Sequence, residues 1–157
     1  MPNAAELRAA FAPLAQMVGE IDLSDPDGAK AMLDHTFPIS ALGELEALAK
    51  AAQSEGWLTP KKATETLTFG RLAKPAPDLG ENSIDVVHMS GEGAAHTHPN
   101  GEVSICFNTA GDDPHFCGHP TGWVVLPPGS HHTPTVTGGT MLIFYFLPQG
   151  AMKWGAA

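Results

Sequence analysis

Positive charge is scarce in this chain. It has eight Lys plus Arg against seventeen Asp plus Glu, for a net charge of −9, and only two arginines, Arg8 and Arg71. That balance excludes nucleic acid and anionic membrane surfaces as partners, because both are met by clustered cations. Cysteine is as rare: Cys106 and Cys117 do not make a disulfide framework, and a cytoplasmic location is the expectation. No apolar run approaches the roughly 20 residues of a membrane span. The longest, Met141 to Leu147, is seven residues and reads as a buried strand. The N-terminus has no positive region followed by an apolar block, so no secretory leader is expected. A Rossmann-type glycine fingerprint is also missing, which argues against a nicotinamide or flavin site.

What is present is a 157-residue chain, 43% apolar, with length for one domain and a modest extension. Residues 3 to about 56 are rich in Ala and Leu and read as helices. Asn3 with Glu6 forms a capping pair ahead of Leu7, Ala10, Phe11, Leu14 and Val18 at helical spacing. Asp25-Pro26 opens a second helix. Ser40 is expected to open a third, with Gly56 as its stop. Residues 1–56 are thus expected to form a helical region that packs on the outside of a β domain spanning 57–157. From Trp57 onward the texture changes to short strands, expected near Glu65–Leu72, Ile84–Ser90, Ala94–His98, Val103–Asn108, Gly122–Leu126, His132–Thr137 and Thr140–Leu147. Gly138-Gly139 reads as a turn between the last two. Closely spaced strands with turn signals predict an all-β sandwich or barrel.

The stretch that carries chemistry is His96-Thr-His98-Pro-Asn-Gly-Glu102. Residues i and i+2 of a strand share a face, so His96 and His98 project two imidazoles in parallel. Pro99-Asn100-Gly101 supplies a tight turn, and the chain returns with Glu102 facing them. Two imidazoles and a carboxylate suit a divalent Fe, Mn, Co, Ni or Zn ion. A further ligand is expected from Gly122–His132, an apolar strand followed by a Pro/Gly turn and two histidines.

His-x-His-x3-Glu, followed about thirty residues later by Pro127-Pro-Gly-Ser-His-His132, resembles the two motifs of the cupin superfamily. The resemblance implies a small cupin barrel (a double-stranded β-helix, or jelly roll) with an N-terminal α-helical extension. It implies metal ligands His96, His98, Glu102 and His132, and a homodimer. The departures lie in the turns: glycine spacing in the first motif differs, and Val136 stands where an asparagine often closes the second. Ala94–Leu147, including His-Thr-His-Pro-Asn-Gly-Glu, also resembles the 4-hydroxylaminobenzoate lyase family of nitroaromatic degradation. That likeness implies conversion of 4-hydroxylaminobenzoate to 3,4-dihydroxybenzoate with release of ammonia, on a small anionic aromatic substrate. Two rivals share the same residues: a non-haem iron dioxygenase, and a non-catalytic cupin that binds a small acid or sugar.

Other side chains complete the reading. Arg71, alone outside the N-terminal helix, is the candidate carboxylate clamp, since guanidinium pairs with carboxylate through two hydrogen bonds. The alternative is a surface salt bridge. His88, on a strand, is a candidate base if it faces inward and merely solvated if outward. His131 should face away from the metal if His132 faces it, and is a candidate acid/base group. His115, Cys117 and His119 read as an exposed loop or lid rather than a second metal site. Trp123, Phe144, Tyr145 and Phe146 read as core, with room for one or two to line an apolar pocket.

Overall fold

The computed structural model describes residues 2–155. Three helices come first: α1 (Ala4–Val18), α2 (Pro26–Thr36) and α3 (Gly43–Ser54). Their starts follow the expected chemistry. The Asn3 side chain accepts from the Glu6 N–H, and Asp25 accepts from the Gly28 N–H, each satisfying a donor that the first helical turn leaves free. Ser40 falls in a short 3₁₀ turn, Ile39–Ala41, so α3 begins later than the sequence suggests. Gly56 ends this region with φ of +87°, a conformation that glycine adopts without steric cost.

Ten strands follow: β1 (Lys61–Thr64), β2 (Leu67–Ala73), β3 (Asn82–Glu92), β4 (His96–His98), β5 (Glu102–Ala110), β6 (His115–Phe116), β7 (Gly122–Leu126), β8 (Ser130–His132), β9 (Thr135–Pro148) and β10 (Lys153–Trp154). They form a seven-stranded antiparallel sheet in the order β1-β2-β3-β9-β5-β7, with β6 on β9, and a three-stranded sheet in the order β10-β4-β8. This is an antiparallel β-sandwich with a helical N-terminus, consistent with the expected cupin architecture. Among the described residues the two sheets do not join into one closed barrel. The expected break at Gly138-Gly139 is not a turn; both lie inside β9. Gly138 has φ of +79°, and a Cβ on Gly139 would collide with the Ala110 carbonyl, so the pair lets one long strand bend close to the end of β5.

The large sheet has two buried faces. One packs under the helices: Leu7, Phe11 and Leu14 of α1 join Ile84, Val86, Ile105, Phe144 and Phe146 in one apolar cluster. Phe11 stacks on Phe144 with ring centroids 4.1 Å apart. A fully buried Phe contributes about 1.5–3 kcal/mol, so this contact ties helix to sheet firmly. The other face carries a second cluster, with Leu67, Met89, Cys106, Val124 and Ile143, and looks toward the small sheet.

Candidate metal centre and cavity

The small sheet delivers the histidines. In the β4–β8 ladder His96 pairs with His132 and Thr97 with His131. Alternation therefore puts His96, His98 and His132 on the inner side and His131 on the other. The turn at Gly101, with φ of +91°, brings Glu102 back on the first residue of β5, beneath the imidazoles. Ligand atoms of His96, His98, Glu102 and His132 all lie within 4.8 Å of one another. His132 Nε2 is 3.0 Å from His96 Nε2 and 3.2 Å from His98 Nε2. Glu102 Oε2 lies 3.3 Å from His98 Nε2 and 3.6 Å from His132 Nε2.

These spacings test whether a cation fits. With bonds of about 2.1 Å, neighbouring ligand atoms stand about 3.0 Å apart in an octahedron and about 3.4 Å apart in a tetrahedron. The contacts of 3.0, 3.2 and 3.3 Å fall in that range, and that of 3.6 Å lies just outside it. The group's electrostatics agree. Burial, reinforced by the neighbouring imidazoles, pushes His98 down to about 3 and His132 down to about 4, and burial lowers His96 as well. The imidazoles are thus held neutral, the form that binds metal. Burial pushes Glu102 up to about 8. The short His98–Glu102 contact is therefore not an ion pair, because the site penalises both charges. Glu102 Oε2 and His98 Nδ1 are buried with no hydrogen-bond partner among the described residues. An orphaned buried oxygen is costly, and a cation would satisfy it.

Two contacts orient the ligands from behind. His96 Nδ1 donates to the Ala94 carbonyl at 3.1 Å, which turns the Nε2 lone pair toward the group. Cys117 Sγ lies 3.6 Å from His132 Nδ1, so the loop cysteine meets the group through this histidine instead of as a ligand. His115 and His119 are not part of the ligand group.

A cavity of about 110 Å³ opens beside His96 and Glu102. Its walls are Leu67, Phe69, Val87, Met89, Phe116 and Ile143. Trp154 sits at its rim, 65% exposed, with its ring 5.4 Å from that of His96. The volume is of the order that holds one benzene ring (about 150 Å³ in an engineered apolar cavity). No lysine or arginine is among the described lining residues.

The remaining candidates fall elsewhere. His88 shares the helix-facing side of β3 with Val86, bonds Thr109 Oγ1 at 2.9 Å, and lies beside Lys50 and Gln53 in a separate groove. It faces away from the cavity, because Val87 and Met89 on either side take that face, and it is half-buried rather than merely solvated, with burial lowering its pKa. His131 is exposed on the far side of β8, where its Nδ1 meets Thr97 Oγ1 at 2.9 Å. Arg71 shares the cavity face of β2 but is engaged by Asp85, Nε to Oδ1 at 2.6 Å and Nη2 to Oδ2 at 3.3 Å. Its carboxylate partner comes from the chain itself. Tyr145 emerges as the cavity residue that the sequence leaves among the core aromatics; its signal was parity with Ile143 on β9.

The sequence profile of the 4-hydroxylaminobenzoate lyase family matches residues 13–154. A 4-hydroxylaminobenzoate lyase of Nocardioides sp. (strain LMS-CY) is 34% identical over 94 residues, covering 54% of this chain and 54% of that one. Another, of Pseudomonas putida, is 29% identical over 119 residues, covering 64% of this chain and 66% of that one. The matches thus span between half and two thirds of these relatives' length. An RmlC-like cupin protein of Ralstonia eutropha JMP134 superposes with a TM-score of 0.47 at 14% identity, over 64% of this chain and 66% of that one.

Proposed function

The chain belongs to the 4-hydroxylaminobenzoate lyase family, and on that footing we propose that it converts 4-hydroxylaminobenzoate to 3,4-dihydroxybenzoate and ammonia. The observation that carries this reading is the convergence of three imidazole nitrogens and an orphaned carboxylate oxygen at one end of a ring-sized apolar cavity. His96, His98, Glu102 and His132 would hold a divalent metal. When bound, such an ion supplies Lewis-acid polarisation and a template for orienting the substrate. The chain's own groups do the rest. Leu67, Phe69, Val87 and Ile143 bury the ring and exclude water. The Ala94 carbonyl and Cys117 keep two imidazoles turned inward.

The reaction needs no external oxidant, because N–O cleavage supplies the oxidising equivalents for ring hydroxylation. In this reading neither His88 nor His131 handles protons, since neither faces the cavity. Arg71 neutralises Asp85 beside the wall rather than clamping substrate.

The test is elemental analysis followed by anaerobic incubation of native and metal-stripped protein with 4-hydroxylaminobenzoate. Dihydroxybenzoate and ammonia formed without oxygen, and lost on stripping, support the proposal. Turnover that survives complete stripping removes the metal from the reaction. Product that forms only with oxygen, and with consumption of it, replaces the lyase with an iron dioxygenase.

A further inference from the structure

We propose that Tyr145 is a further catalytic residue, whose hydroxyl donates a hydrogen bond to the oxygen of the substrate's hydroxylamino group as the N–O bond breaks. This rests on the lyase reading above. The polar side chains among the described cavity residues are His96, Glu102, Tyr145 and, at the rim, the Trp154 indole. The first two direct their lone pairs into the ligand group and Trp154 is 65% exposed, which leaves Tyr145 as the donor on the inner wall. Tyr145 is half-buried on the cavity wall, where its hydroxyl can meet a bound molecule. Register sets its neighbours. Tyr145 pairs with Asp85 on one side and Ser104 on the other, two residues along from Glu102. The Asp85 carboxylate is already taken by Arg71 and by Ser83 Oγ at 2.7 Å, so it does not draw the phenol proton away.

Burial, together with the negative charges of Asp85 and Glu102, holds the phenol above its ordinary range. It stays protonated, and a protonated hydroxyl is a donor. In the step itself, the N–O bond breaks with its electron pair on oxygen, which takes the Tyr145 proton and departs as water. Nitrogen is reduced and the ring is oxidised. Water then adds at the ring carbon beside the C–N bond, and the proton it sheds restores Tyr145. A second water hydrolyses the C=N bond, ammonia leaves, and the ring regains aromaticity. Two waters enter and one departs, so each turnover consumes one.

Tyr145→Phe removes the hydroxyl and keeps the ring. We expect kcat to fall about 100-fold or more, the usual size of a positioned proton donor's contribution. Metal content should stay stoichiometric and the thermal midpoint within about 2 °C, while KM should rise no more than about tenfold, the ground-state share of the same hydrogen bond. A kcat within about twofold of the wild type overturns the proposal. So does a loss of metal or of thermal stability that accounts for the whole defect. A second arm is independent of turnover: calorimetric affinity for 4-hydroxybenzoate relative to benzoate. The wild type should prefer the hydroxylated ligand about tenfold, and Tyr145→Phe should erase that preference. A preference that survives in the variant also overturns the proposal. A preference that is lost, in a wild type that turns over no hydroxylaminobenzoate, keeps Tyr145 as the ligand's donor and removes the lyase reading instead.

Discussion

Along β9, Leu142, Phe144 and Phe146 point to the helices, while Met141, Ile143 and Tyr145 point to the cavity side. The same strand serves two interiors. The helix-facing one is filled: Phe11, Phe107, Phe144 and Phe146 interlock, and the stranded oxygen on that side, Asn82 Oδ1, belongs to an amide whose Nδ2 donates to the Ala15 carbonyl of α1. The cavity-facing one leaves ring-sized space and tolerates an orphaned Glu102 oxygen and an orphaned His98 nitrogen. One face stabilises the fold and the other bears the polar groups that a site needs. Such a division is expected where function is held at the cost of local stability.

The largest way to break this contrast is on the cavity side. His98→Ala should abolish stoichiometric metal and activity together, because even groups that merely orient metal ligands cost about 10–100-fold when removed. Metal analysis and turnover on a variant that keeps its thermal transition check this. Normal metal content in that variant would sink the four-residue centre.

On the helix side, Phe144→Ala should cost about 3–5 kcal/mol in denaturant unfolding, with metal content intact in the folded fraction. Ile143→Val, its neighbour on the other face, should cost only about 0.5–1.5 kcal/mol and should instead change KM by enlarging the cavity. If both variants lose stability alike with KM unmoved, the division between faces is wrong.

The stability of the metal-free protein should peak near pH 6.5. The folded-state pKa of His98 and His132 lies below the ordinary 6.5, so the stability they allow is full above 6.5 and is lost as pH falls toward about 4 and 3. Glu102 works the other way: raised from 4.5 to about 8, it contributes stability at low pH that is lost as pH rises through 8. The histidines outnumber it below pH 6.5, and above that it acts alone. Thermal melts of stripped protein should show both limbs. Glu102→Gln should flatten the alkaline one, worth roughly 1–2 kcal/mol. An alkaline limb unchanged in that variant would assign it to other groups.

The smallest effect is expected at Arg71. Its guanidinium is 44% exposed and its partner Asp85 is 10% exposed. Solvent screening limits the pair to about 1 kcal/mol on Arg71→Ala, with KM within about twofold. A KM rise of tenfold or more for the carboxylated substrate would put the guanidinium at the substrate after all.

The sequence determined whatever depends on near neighbours. Helix caps at Asn3 and Asp25, the turn at Gly101 and the i, i+2 projection of His96 and His98 are local stereochemistry, and the structure has them. The opposition of His131 to His132 follows from the same alternation. Tertiary structure decided the rest. Alternation relates neighbours but does not say which face meets what, and β9 is apolar on both faces, so Tyr145 was indistinguishable from Phe144 until one face acquired helices and the other a cavity. The same choice turned His88 away from the cavity and toward α3. The two-residue strands β6 and β10 are too short for any period to show, and the bend of β9 at Gly138-Gly139 exists only because Ala110 and Gly111 approach it. Arg71 met Asp85 because β2 and β3 pair in a register that brings residues fourteen apart face to face. That register is set by the burial of whole faces, a property no short stretch of the chain possesses.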